Sequence, residues 1–253
     1  MPTVLITGCS SGFGLETARH FADHGWSVVA TMRTIRDDIL PPSDNIRIIA
    51  LDVTDAASIA RAIAEAGPID ALVNNAGIGY LNAAEGTPMD VARIVFETNT
   101  LGTIAMTQAV LPQFRDRKAG VIVNVTSSVT LLPLPLLSIY TASKTAVNGF
   151  SDVLALEVEP FNIRVRVVLP GRAPHTSFSE NARSRMTGFP EAYGETVQKV
   201  FAGWEQESEP VTEQGDVAAA IWRAVTDDAA PAHLPSGADA MALATRIDQA
   251  GHP

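Results

Sequence analysis

Short apolar runs alternate along this chain with longer stretches whose apolar positions recur at helical spacing. Residues 4–6, 28–30, 46–51, 71–73, 121–125 and 163–169 are rich in β-branched residues and largely unalternated, the pattern of strands covered on both faces. Between them, residues 14–24, 56–66, 91–117 and 143–158 carry amphipathic helical patterns. Strands separated by helices imply βαβ units with right-handed crossovers. The predicted fold is a single α/β domain over residues 1–253, a three-layer, doubly wound parallel sheet. The pattern changes from 171 to 208, which is polar, holds Pro174 and Pro190 and has few strand signals. This segment reads as a loop with short helices inserted after the sixth strand. Ligands of open α/β sheets bind beyond the carboxyl ends of the strands, so the insertion is either a substrate lid or a surface excursion.

Composition narrows the class. A chain of 253 residues can bury one sizeable core. Its net charge of -10 repels phosphate backbones and argues against a nucleic-acid partner. The single cysteine, Cys9, cannot form an internal disulfide, which fits a reducing, cytoplasmic compartment. Strand character begins at Thr3, so no secretory signal is expected before the fold. The apolar stretch 131–139 is too short to span a membrane and contains Pro133 and Pro135. A pocket rim or core packing is expected there in preference to a lipid-facing role.

Candidate chemistry gathers at two places. Gly8, Gly12 and Gly14 lie in the turn Thr7-Gly8-Cys9-Ser10-Ser11-Gly12-Phe13-Gly14, between the first strand and the first helix. Glycine permits a sharp turn and close approach of backbone to a pyrophosphate, and a helix starting near Phe13 would aim its N–H groups at the phosphates. The spacing is not G-x-G-x-x-G, and such turns also serve only to pack a helix on a sheet. Tyr140 and Lys144 stand one helical turn apart, and Ser127 precedes Tyr140 by thirteen residues. A free phenol titrates near 10, so the expectation is that the Lys144 ammonium, with an oxidised nicotinamide, lowers Tyr140 toward working pH. Tyr140 would then be acid or base, and Ser127 would hold the substrate oxygen. The plain alternatives are a packing tyrosine, a solvated lysine and a turn serine beside Ser128.

Thr7-Gly8-x-x-x-Gly12-x-Gly14, Asn74-Asn75-Ala76-Gly77, Asn99, Ser127, Tyr140-x-x-x-Lys144 and Pro170-Gly171 follow in one order over residues 3–171. In this the chain resembles the short-chain dehydrogenase/reductase family. Cys9-Ser10-Ser11 and Ala30-Thr31-Met32-Arg33 are similar to the hydroxysteroid and retinol dehydrogenase branch. The resemblance implies a Rossmann fold and hydride transfer between a nicotinamide and a ketone, aldehyde or alcohol. It implies catalytic roles for Asn99, Ser127, Tyr140 and Lys144, with Lys144 also on the nicotinamide ribose and Asn99 holding a relay water. By the same resemblance Gly8, Ser10, Ser11, Gly12, Phe13 and Gly14 cradle the dinucleotide. Asp52 and Val53 meet its adenine, Asn75, Ala76 and Gly77 line it, and Pro170, Gly171 and Thr176 reach its nicotinamide end. Asp52 is alternatively an N-cap or turn residue.

Met32 and Arg33 stand where an acid would select NAD(H). A guanidinium suits a 2′-phosphate, with Ser10 as an added donor, so NADP(H) is expected over NAD(H). Thr176 arrives one residue later than the family pattern, and His175 beside it faces either substrate or solvent. Residues 234–239 look like the last strand and turn of the hydroxysteroid- and retinol-like members. Residues 131–137 with Phe178, Met186, Phe189 and Tyr193 would either form an apolar pocket for a lipophilic carbonyl or pack on the core. The family pairs through its long helices, here 91–117 and 143–158, into homodimers or homotetramers.

No metal site is expected. His20, His24, His175, His233 and His252 are dispersed, and the His20–His24 pair, lacking a third ligand, reads as solvated. No Gly-x-Ser-x-Gly elbow suggests a hydrolase. A nucleotide-binding redox regulator on the same fold is the alternative of a different class, but such relatives typically lose the Tyr/Lys pair. Nucleotide-sugar epimerases and dehydratases usually need a longer substrate region.

Overall fold

Seven parallel strands run side by side through the centre of the computed structural model, which describes residues 1–250 except 37, 42, 175, 177–181, 183–184, 187 and 205–209. They are β1 (Thr3–Ile6), β2 (Ser27–Met32), β3 (Ile46–Ala50), β4 (Ala71–Asn74), β5 (Gly120–Val125), β6 (Ile163–Pro170) and β7 (His233–Ser236). Their order is β3-β2-β1-β4-β5-β6-β7. The winding reverses between β1 and β4, and a crevice opens there at the carboxyl ends of the strands. The six expected strands are present within two residues at each end, and β7 falls in the predicted final segment.

The helices are α1 (Gly12–Asp23), α2 (Ala56–Ala66), α3 (Met89–Phe96), α4 (Gly102–Arg117), α5 (Ser138–Val158), α6 (Gly194–Trp204), α7 (Gln214–Thr226) and α8 (Ala238–Ala250). They depart from expectation in three places. The single helix expected over 91–117 is divided into α3 and α4 by a π-helical turn, Glu97–Leu101. Helix α5 starts five residues before its predicted beginning, so Tyr140 lies in its first turn. Helix α7 lies in a stretch with no element expected from sequence, and α8 begins within the predicted final turn. The α7 start is hidden in sequence because Glu213, an unusual cap, has its amide held by the Asp216 carboxylate at 3.0 Å.

Alternate residues of the strands feed two cores. Val4, Ile6, Val28, Ala30 and Val123 face α1 and α7, whereas Leu5, Val29, Leu72 and Ile122 face α2, α4 and α5. Residues buried on both faces explain why the strands read as continuous apolar runs. At the far end of α1, Phe21 meets Trp26 and Trp222 edge-on, with centroids 5.3 and 5.0 Å away. Of the two helix histidines, His24 is exposed as expected and His20 is half-buried. Their rings stack at 4.3 Å, and His24 lies 4.6 Å from Trp222. Burial first, and the neighbouring His24 second, hold the His20 imidazole below its ordinary value. No helix among the described residues is long and apolar enough to cross a membrane.

Phe21 is fully buried where three aromatic rings join α1 to α7. Phe21→Ala should therefore cost about 3–5 kcal/mol of folding free energy. Urea denaturation would read this as a lower midpoint at unchanged slope.

Candidate active site

The chain leaves β1 through a turn that only glycine can make. Gly8 and Gly12 have φ of +76° and +58°. A side chain on Gly8 would meet the Ala76 backbone at 2.9 Å, and one on Gly14 would run into the Gly8 carbonyl. Beside Gly12 a side chain would enter open space, so this glycine serves the dihedral angle and leaves one side of the turn bare. The turn is bolted to β4. Thr7 Oγ1 accepts from the Asn75 and Ala76 amides at 3.0 and 2.9 Å. Asn75 Nδ2 donates to the Thr7 and Gly8 carbonyls at 2.9 and 3.2 Å. Thr7 carries this junction, although sequence reasoning assigned it no role.

Helix α1 begins at the end of that turn. Ser11 is its N-cap in extended conformation, without a side-chain capping bond, and its first turn holds no acidic residue. The first amides are thus free of the usual side-chain partners, next to a glycine-lined concavity with exposed Ser10 at its rim. An anion, and in particular a pyrophosphate, fits such a site. Exposed Arg33 follows β2, and Asp52 follows β3. Thr54 donates its amide and hydroxyl to Asp52 Oδ1 at 2.9 and 2.7 Å. These bonds hold the carboxyl below its usual range, and the Arg33 charge assists. Asp52 is a turn residue, while Asp55 caps α2. Buried Val53 points inward, against the position a Gly102 side chain would occupy.

Beyond β4 and β5 lies a second, buried cluster. Tyr140 and Lys144 share one face of α5 and are only 8% and 5% exposed. The Tyr140 phenol hydrogen-bonds Ser127. Ser127 starts a short turn that α5 pins, since Asn148 Nδ2 donates to Thr130 Oγ1 and Thr130 Oγ1 donates to the Ser127 carbonyl. Lys144 Nζ donates to the Val125 carbonyl at 2.9 Å. Burial lowers the ammonium to about 8. Burial also pushes the phenol up to about 12, and the Ser127 bond only partly opposes it. The expected downward shift of Tyr140 is not produced by the protein's own groups. The reason is geometric: the ammonium is directed at Val125 while the phenol lies in a dry setting.

Asn99 sits in the π-helical turn, where the extra residue re-aims side chains. Its Oδ1 accepts from the Ile78 amide at 2.8 Å, and its Nδ2 donates to the Ile78 carbonyl and Ser143 Oγ, both at 3.0 Å. Ser143 Oγ then donates to the Tyr140 carbonyl at 2.7 Å. A carbon placed on Gly77 would lie 3.2 Å from Asn99 Oδ1 and 3.3 Å from Lys144 Nζ. The bare glycine therefore keeps a gap open beside the carboxamide and the ammonium. Ser143 was missed, although it stands between Tyr140 and Lys144 in the motif itself.

Pro170 ends β6, and Gly171 enters a clasp. The Gly171 amide donates to Thr212 Oγ1 at 3.0 Å, and the Arg172 amide donates to Asp239 Oδ2 at 2.6 Å. Thr212 Oγ1 and Asp239 Oδ1 are 2.6 Å apart, and the Thr212 amide reaches the Arg172 carbonyl at 2.8 Å. Neither Thr212 nor Asp239 was foreseen. Buried Thr176 donates to the Ala173 carbonyl at 2.9 Å. His175 and Phe178 lie outside the described residues. Leu81, Ala83, Leu136 and Leu137 pack with Met186, Phe189, Tyr193, Val197, Val200 and Phe201, so α6 lays an apolar face on the loop that leads into α5.

The site is thus a glycine-lined anion cradle at one end and a dry serine–tyrosine–lysine cluster at the other, bridged by the Asn75–Gly77 segment. A dinucleotide fits this layout. The family model for short chain dehydrogenases matches residues 2–187. A 3-ketodihydrosphingosine reductase of Bacteroides thetaiotaomicron is 37% identical over 88% of this chain and 82% of its own length. Bovine retinol dehydrogenase 8 is 38% identical over 67% of this chain and 58% of its own. A short-chain dehydrogenase of Streptomyces avermitilis superposes with a TM-score of 0.82 at 32% identity, covering 99% of this chain and 94% of that one. With the sheet order, the glycine turn and the Tyr140–Lys144 pair in place, the chain belongs to the short-chain dehydrogenase/reductase family, nicotinamide-dependent oxidoreductases that interconvert carbonyls and alcohols.

Proposed function

We propose that this enzyme is an NADP(H)-dependent reductase of lipophilic ketones or aldehydes, running in reverse as an alcohol dehydrogenase. The observation that carries the reading is the buried Ser127–Tyr140–Lys144 cluster at the carboxyl end of β5, a short distance along the crevice from the glycine turn. Bound NADPH would supply the hydride to the carbonyl carbon. Tyr140 donates its phenolic proton to the carbonyl oxygen, and Ser127 Oγ holds that oxygen in line. A phenol pushed up to about 12 is fully protonated at neutral pH, which suits the reductive direction. Lys144 keeps its positive charge below about pH 8, binds the nicotinamide ribose and stabilises the phenolate left after transfer. Asn99 positions a water in the gap beside Gly77, through which the proton is replaced.

Gly8, Ser11, Gly12, Phe13 and Gly14 hold the pyrophosphate against α1. Asn75, Ala76 and Gly77 line the cofactor, Asp52 and Val53 meet the adenine, and Pro170, Gly171 and Thr176 border the nicotinamide. Arg33 and Ser10 bind the 2′-phosphate. The electrostatic reach between Arg33 and Asp52 supports this, because it brings a cation to the adenosine end, where an acid would otherwise select NAD(H). The segment 171–208 acts as the lid, its apolar wall supporting a lipophilic substrate. Exposed Ile94, Leu101, Val153 and Leu156 on α3, the π-helical turn and α5 support homodimers or homotetramers built through these helices. Buried Cys9, its thiol pushed up to about 12, stays a thiol in the cytoplasmic setting we assign.

Titration by nicotinamide fluorescence should give tighter binding of NADPH than of NADH. Arg33→Asp should reverse the order, weakening NADPH by about tenfold or more; an unaltered preference would refute NADP(H) selection. Tyr140→Phe should bind NADPH normally yet lose about 10²–10⁴ in turnover of a ketone, and retained turnover would remove Tyr140 as the acid. Reductive kcat/KM should be flat below about pH 8 and fall above it as Lys144 loses its proton. A profile unchanged to pH 10 would dissociate Lys144 from catalysis.

A further inference from the structure

Leu136 is the one described residue near the site that combines a left-handed backbone, φ +66°, with a buried branched side chain. A leucine rarely holds this conformation unless its surroundings impose it. Two sets of contacts do so. The side chain belongs to the apolar cluster of Leu81 and Ala83, against which Phe189, Val197 and Phe201 of the lid pack. The carbonyl accepts from the Asn82 amide at 2.9 Å. Asn82 is itself buried, and its Nδ2 donates to the Gly86 carbonyl at 3.1 Å, in the loop on which Pro190 rests.

The next residue, Leu137, is the N-cap of α5 and gives it no side-chain capping bond. The helix start is instead fixed by backbone, with the Thr141 amide on the Leu137 carbonyl at 2.8 Å. Tyr140 is the third residue of that helix. The backbone of Leu136 therefore determines where the first turn, and the phenol on it, begins.

We propose that Leu136 is a positioning residue that couples the lid to Tyr140: its side chain anchors α6, and the left-handed backbone that this anchorage maintains sets the first turn of α5. The proposal rests on the lipophilic-carbonyl reading above, because it makes closure over an apolar substrate and placement of the acid a single event. Substrate that draws the lid down holds Leu136 in place and with it the phenol. A compact hydrophilic carbonyl, which does not engage the wall, gains less.

Hydrogen exchange by mass spectrometry on the full chain separates the two halves of the coupling. Glycine keeps the left-handed backbone freely but has no anchor, alanine has neither, and methionine keeps a buried apolar anchor. The peptide spanning 190–203 should exchange at least tenfold faster in Leu136→Gly and in Leu136→Ala. The first turn of α5 should loosen in Leu136→Ala alone, and Leu136→Met should retain the original pattern in both. With NADPH and 2-decanone, KM should rise several-fold in the glycine and alanine variants, and kcat should fall about tenfold only with alanine. A lid peptide unchanged in Leu136→Gly, or glycine and alanine variants alike in the first turn, would overturn the coupling. If the original enzyme reduced no ketone with either nucleotide, the substrate reading would fail, while the exchange pattern would still decide the coupling.

Discussion

The working end of this enzyme depends on an ammonium kept out of water. Burying Lys144 is unfavourable, and the cost is visible as a fall of its ionisation to about 8. The charge is tolerable because β5 ends in a carbonyl, that of Val125, placed 2.9 Å from Nζ. The parallel sheet makes this possible. At the carboxyl end of a strand a backbone carbonyl can point into the crevice, whereas neighbouring strands satisfy those further down. The same dryness that taxes Lys144 raises Tyr140, so both groups are shifted toward their neutral forms by burial. A neutral phenol is the form an acid needs. The Lys144 cation stands one helical turn away on α5, which holds the spacing.

Around that pair the polar groups are tied to one another more than to solvent. Asn99 joins the Ile78 backbone to Ser143, and Ser143 joins the π-helical turn to the Tyr140 carbonyl. Thr100 Oγ1 adds a bond to the Ser143 carbonyl at 2.9 Å. Beneath them, Asn74 Nδ2 donates to Asn124 Oδ1 at 2.9 Å across β4 and β5, and Asn124 Nδ2 continues to Ser151 on α5 at 2.8 Å. All but the Ser143–Tyr140 bond cross between elements, so the sheet, the π-helical turn and α5 hold one register at the site. Networks of this kind contribute less to net stability than to a unique arrangement, and placement is what hydride transfer requires.

Much of this was legible in the sequence, for definable reasons. Strands buried on both faces announce themselves as apolar runs, and six were read within two residues at each end. The glycine turn and the Tyr140–Lys144 spacing were legible because the backbone angle and the helical pitch leave little choice of residue or interval. What escaped were features set by tertiary contact. A π-helical turn has the same apolar periodicity on either side as an unbroken helix, so 91–117 looked continuous. The start of α5 has no side-chain cap to mark it, because Leu136 and its packing fix it instead. Helix α7 begins at a glutamate that borrows Asp216 for its cap. The phenol's upward shift follows from its burial, which spacing along a helix does not determine.

Gly171 shows how a motif glycine acquires a reason that a motif cannot supply. By resemblance it belongs to the nicotinamide end of the cofactor site. Yet the space a side chain would fill there is taken by the Asp239 carboxylate, which also holds the Arg172 amide. Gly237, with φ +92°, is bare for a matching reason, since Thr212 occupies its flank. These four positions close the base of the segment that leaves the sheet at Arg172 and returns at Thr212. The clasp thus ties the two ends of this segment to β6, β7 and α8.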